Sequence, residues 1–253
     1  MGVSTRTTCT VVTVNTSFLD NVLAENGIEF SNNKFVYRWD GELAADAQIR
    51  ALAQASGFNA QWNAPIMVVD GANVMGRWYV PSAGELTVGQ ARAAVDTLGK
   101  GVLAMREVLG ESIGEFSVDW EADAPRVTYG RIEDWFAQRG VAELPQDNET
   151  GALCLSMDGT PVDIHIGDVF SVQVSAHIPD GDPAQVLHLC NLLNKSDGPA
   201  VCGVLNGEQW WAIARYTVEA RAGLSDAQLD AAIREGVTGA GAKVRDLLRA
   251  RRG

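Results

Sequence analysis

Val68-Val69-Asp70-Gly71-Ala72-Asn73-Val74-Met75-Gly76-Arg77-Trp78-Tyr79-Val80 is the stretch on which the fold turns. An apolar run meets Asp-Gly, and a second apolar run comes after it. That is the pattern of a β-hairpin: a type I′ turn needs positive φ at both central residues, and Asp-Gly tolerates it. The pattern returns in Val204-Leu205-Asn206-Gly207-Glu208-Gln209-Trp210-Trp211-Ala212-Ile213-Ala214-Arg215-Tyr216, with Asn-Gly at the bend.

The residues after each hairpin also match. Leu86-Thr87-Val88-Gly89-Gln90-Ala91 parallels Leu224-Ser225-Asp226-Ala227-Gln228-Leu229. Thr87 and Ser225 are expected helix N-caps, because a hydroxyl accepts from the unpaired N–H groups of the first turn. Ahead of each hairpin lies an apolar-striped helix, expected at 46–56 and 183–194, and ahead of that a shorter one closed by Gly27 or Gly140. Between the two helices the second copy has room for three strands, at 152–157, 162–166 and 169–178. The first copy has room for one, at 34–39. Extended segments 9–14 and 115–120 are expected to complete the sheets. These patterns predict an α+β fold of two tandem units, residues 1–112 (shortened) and 113–253.

The order α-β-β-β-α-β-β-α of the second copy resembles the bacterial YbjN-like family, a group of sensory transduction regulators with the type III secretion chaperone-like fold. The resemblance is carried by Leu192-Leu193-Asn194, by Val201 to Leu205 with Asn206-Gly207, by Trp210 to Tyr216 and by Gly223-Leu224-Ser225. It implies antiparallel sheets packed with helices, two copies closed as an intramolecular pseudo-dimer, a regulatory or chaperone-like role and no catalytic residues to carry over.

Composition bounds the function. The 253 residues are 46% hydrophobic and 21% charged, and carry a net charge of −12. The parts before and after residue 125 carry −7 and −5, so neither offers the basic face that phosphate contacts need. No apolar run approaches the roughly 20 residues of a membrane span. The polar first ten residues lack a signal-peptide core, so a cytoplasmic location is expected. Cys9, Cys154, Cys190 and Cys202 form no CxxC pair and read as reduced structural thiols.

The polar residues offer few catalytic arrangements. The three histidines, His165, His177 and His188, show no metal-ligand spacing. Asp163 and His165 share a strand face, the minimum for acid–base work, and Asp168 lies near a turn. His188 and Cys190 stand two apart on a helix and face different ways. Gly236, Gly239 and Gly241 come after no strand and read as glycines that allow close helix packing or mark a kink, rather than a phosphate loop. Asp119, Glu121 and Asp123 alternate with other residues as a solvated face.

Trp210 and Trp211 cannot enter one core together, since adjacent strand residues point to opposite faces. With Trp78 and Tyr79 they are the candidate partner-binding residues, tryptophan being enriched at interface hot spots, the other reading being packing between the two copies. The expectation is a non-catalytic protein-binding module without cofactor or metal, with a protein partner and neither nucleic acid nor membrane. It is a monomer with an internal pseudo-dimer, or a homodimer. The alternative is an enzyme or small-molecule sensor with a pocket between the units, built on Asp163, His165 or His188.

Overall fold

The computed structural model describes residues 23–24, 27–39, 43, 47–61, 64–110, 114–157, 159–178, 182–206 and 209–251. Both hairpins form. β3 (Ile66–Asp70) pairs antiparallel with β4 (Asn73–Tyr79), and β8 (Ala200–Asn206) with β9 (Gln209–Glu219). The last pairs are Asp70↔Asn73 and Asn206↔Gln209, and the first hairpin turns through the two-residue loop Gly71-Ala72. This corrects the expected turn type at the first hairpin. Asp70 stays in the strand, and Gly71 alone has positive φ (61°), which is the glycine-first II′ pattern. Gly207 and Glu208 lie outside the described residues.

A third hairpin goes beyond the sequence expectation. β1 (Ile28–Ser31) and β2 (Lys34–Arg38) are joined by Asn32 and Asn33 at φ 51° and 58°, the type I′ geometry. The first half therefore has two strands here rather than one. The second half meets its expectation: β5 (Leu153–Met157), β6 (Thr160–Ile166) and β7 (Val169–Ile178) form a meander.

All nine described strands belong to one mixed sheet in the order β1-β2-β4-β9-β7-β6-β5, with β3 on β4 and β8 on β9. Every pairing is antiparallel except the junction of β4 with β9, a single parallel pair Tyr79↔Val218. Residues 115–120, expected as a strand, form none. Phe116 instead fills the hollow over Gly99, where a Cβ would lie 2.2 Å from its ring, and the Val118 N–H donates to Asp96. The segment straps a helix because its alternate apolar residues face that helix and not a sheet edge. Segment 9–14, and most of the short helix expected ahead of Gly27, lie outside the described residues.

Five helices complete the described chain: α1 (Gln48–Ala60), α2 (Val88–Val108), α3 (Tyr129–Ala137), α4 (Pro183–Asn194) and α5 (Asp226–Ala250). Thr87 and Ser225 are N-caps, each in a full capping box with Gln90 or Gln228. α2 covers one face of β4, with Leu98 and Val102 over Gly76 and in one core with Val74 and Trp78. α5 covers β7 and β9, where Gly236 lets Val172 approach to 2.6 Å of the place a Cβ would take. Bridged neighbours point the same way. Val218 belongs to the α5 core while Tyr79 points away from the α2 core, so the two long helices lie on opposite faces. The fold is α+β.

Candidate binding surface

The outer flanks of β3 and β8 are treated differently from that of β5. β3 and β8 each have one flank against a partner strand and one flank open to helices α1 and α4. On β3, the Asn59 carboxamide donates to the Met67 carbonyl (2.9 Å) and accepts from the Met67 N–H (2.8 Å). Asn191 does the same for Val69, donating at 2.8 Å and accepting at 2.9 Å. On β8, Asn194 closes Val201, both bonds 2.8 Å. A primary amide presents one donor face and one acceptor face, so it satisfies a strand residue as a neighbouring strand would.

Buried cations reinforce the same region. Arg77 of β4, 2% exposed, donates to the carbonyls of Asn194 and Ser196 at the end of α4. Arg215 of β9 donates to the Ala60 carbonyl at the end of α1 (2.5 Å) and to Gln173 (2.6 Å). Helix C-termini carry partial negative charge, which offsets part of the cost of burying a guanidinium. Burial still brings Arg215 down to about 10. Lys243 of α5 donates to the Leu193 carbonyl and the Ser196 hydroxyl, both 2.6 Å. Burial, then the charge of Arg77, brings Lys243 down to about 8.

β5 is different. Its first residues are paired by 145–147: the Asp147 N–H donates to the Ala152 carbonyl (2.8 Å) and the Cys154 N–H to the Pro145 carbonyl (2.7 Å). Because strand residues alternate, the Cys154 carbonyl and both backbone groups of Ser156 point to the same outer side. Among the described residues no strand lies beside them. A groove of about 640 Å³ runs along this open edge, lined by Trp135, Phe136, Val141, Leu144, Leu155 and Met157 among others. Val141 is 39% exposed and Met157 42%. Free backbone groups beside an apolar trough are what strand addition requires: the backbone supplies pairing and the trough receives alternate side chains.

The aromatics singled out from sequence lie elsewhere. Trp78 is 1% exposed in the α2 core, so it presents no surface. The Tyr79 hydroxyl accepts from the Gly198 N–H (3.0 Å). Trp210 is half-buried against the α5 core, and Trp211, on the other face, meets His177 edge-on at 5.7 Å. The pair divides between faces as strand geometry demands.

The acid–base candidates do not gather. Asp163 and His165 share a face of β6, while His188 is exposed on α4. Burial, then the charge of Arg215, lowers the His165 imidazole. Cys154 stands opposite Asp163, and burial, then that carboxylate, pushes its thiol up, which works against a thiolate nucleophile. A cavity of about 310 Å³ at the junction of the halves holds Thr97, Lys100, Asp168 and Arg221. Its cations are committed: Lys100 and Arg221 both pair with Asp96 (2.9 and 3.1 Å). Among the described residues no group of His, Cys, Asp and Glu could hold a metal ion, and no helix is long and apolar enough to cross a membrane.

Sequence reasoning missed the three asparagines and the groove. A signal existed for Asn59 and Asn194, which occupy matching places at the ends of α1 and α4, ahead of each hairpin. The groove is assembled from α3, the 141–145 loop and β5, and no local pattern announces it.

No family model matches the chain, and no curated protein matches it. Among solved structures it is similar to the crystal structure of YbjN from E. coli, with TM-score 0.39 and 16% identity over 49% of this chain and 92% of that one. It is also similar to the Yersinia pestis type III secretion chaperone SycH, solved in complex with a stable fragment of YscM2. There the TM-score is 0.30 and the identity 18%, over 45% of this chain and 96% of that one. Both are distant resemblances spanning about half of the chain.

Proposed function

We propose that the chain is a non-catalytic protein-binding module, chaperone-like or adaptor-like, that holds an extended segment of a partner along β5. The open outer edge of Cys154 to Met157, beside an apolar groove, carries this reading. We further propose that the molecule is a tandem of two related YbjN-like units, 1–112 and 113–253, closed as an internal pseudo-dimer. Three correspondences support the tandem. Asn59 and Asn194 make the same pair of bonds to Met67 and Val201. Arg77 and Arg215 each reach the end of the other unit's helix. The capping-box glutamines bond each other, Gln90 to Gln228 at 2.8 Å and Gln228 to Gln90 at 2.9 Å. Each also donates to the backbone just ahead of the other's cap, at Gly223 and Glu85.

A photo-crosslinking residue placed at Val141 or Met157 is expected to capture one defined polypeptide in cells. The same group at Leu192, 53% exposed on α4, is expected to capture none. Equal capture at all three positions would contradict the assignment. Trp211, with surface left on the opposite face, is a secondary contact in this proposal.

A further inference from the structure

On the reading that the β5 groove holds an extended segment, we infer that this segment is apolar at alternate positions and carries lysine or arginine at one end. The groove supplies the first half of that statement. Trp135, Phe136, Leu144 and Leu155 form an apolar floor and wall, with Arg139 and Glu143 the charged residues of the lining, so side chains entering between the apolar residues are apolar.

The surroundings supply the second half. The 141–145 loop is a shared wall, and behind it lies a second cavity of about 660 Å³ lined by Glu133, Asp134 and Glu143. All three carboxylates are exposed, and none has an ion-pair partner among the described residues. Arg139 is the cation lining the groove. Its charge is already met by Asp230 at 2.8 Å, and its guanidinium stacks 3.7 Å over Trp135. The field left at that end of the groove is therefore negative, in a chain whose net charge is −12. A basic flank is attracted there and an acidic one repelled.

The same charges argue against a second copy of this chain, which would bring its own Glu133, Asp134 and Glu143 against these.

Fluorescence anisotropy with the full chain tests the inference. The probes are labelled peptides of about ten residues with alternating valine and threonine, ending in two lysines or in two glutamates. The lysine-ended peptide is expected to bind about tenfold more tightly at low salt, with the gap closing towards about twofold near 0.5 M salt as screening sets in. A Glu133→Lys, Glu143→Lys double variant is expected to reverse the order. Met157→Asp and, independently, Val141→Asp are expected to abolish binding of both peptides; both sites are exposed, so the fold tolerates the change. Equal affinity for the two ends, with both groove variants still inactive, would overturn the basic flank and leave the groove standing. Binding of neither peptide, or binding indifferent to Met157→Asp, would overturn the groove and the flank together. A concentration-dependent dimer that Met157→Asp dissolves would assign the groove to a second copy and overturn the inference.

Discussion

β3 and β8, near the centre of the molecule, and β5, at its rim, meet the same problem with opposite outcomes. Every strand flank exposes N–H and C=O groups that invite another strand. At β3 and β8 three asparagines from α1 and α4 bond those groups at Met67, Val69 and Val201. At β5 the 145–147 segment covers the flank only as far as Cys154, and the remainder faces an apolar groove. The lesson is that this chain has the means to close an edge and does not use it at β5. β1 ends the sheet on the other side; what sets β5 apart is the apolar groove beside its open flank.

The contrast can be broken first at its closed side. Asn194→Ala leaves the buried N–H and carbonyl of Val201 without partners, and each such group costs about 1–3 kcal/mol. A loss of about 3 kcal/mol is expected in urea denaturation, with Asn59→Ala close behind through Met67. Asn191→Ala, at a half-buried position, is expected to cost about 1–2 kcal/mol on the same grounds. Costs near zero for all three would mean that water or a rearranged strand satisfies these groups, and the edges would not be closed by side chains.

Lys243 sharpens the comparison through pH. Its folded pKa, about 8, lies below the ordinary lysine value of 10.5. Between those values the unfolded chain binds the extra proton, so stability from this group rises as pH rises from about 8 to about 10.5. Relative to Lys243→Met, the wild-type chain should gain stability across that window. A flat difference would show that the ammonium is fully satisfied by Leu193 and Ser196.

The smallest effect on stability belongs to the open side. Met157→Asp, at an exposed edge position, is expected to change stability by less than about 0.5 kcal/mol while removing partner capture. Trp211→Ala should lower capture by less. A large stability loss for Met157→Asp would show that the β5 edge is part of a core and not a docking surface.

Much of the closed region is legible in the sequence and little of the open one. Thr87 with Gln90 and Ser225 with Gln228 announce their helices because capping is local chemistry. The two hairpins, the β5–β7 meander and α4 arise from short-range patterns of the same kind. β1 is hard to see because Asn32-Asn33 is a weaker turn signal than Asn-Gly and the strand is four residues long. Trp78 suggests binding by residue type, since tryptophan is common at interfaces, whereas its strand alternation places it beneath α2. The groove depends on α3 and the 141–145 loop meeting β5, a juxtaposition that only the folded chain creates.

Residue-resolved amide hydrogen exchange measures both kinds of edge at once. In the free chain the amides of Met67, Val69 and Val201 should exchange slowly and that of Ser156 quickly; with saturating lysine-ended peptide, Ser156 should slow while the other three stay as they were. A Ser156 amide already protected in the free chain, or one that the bound peptide leaves unchanged, would contradict the account.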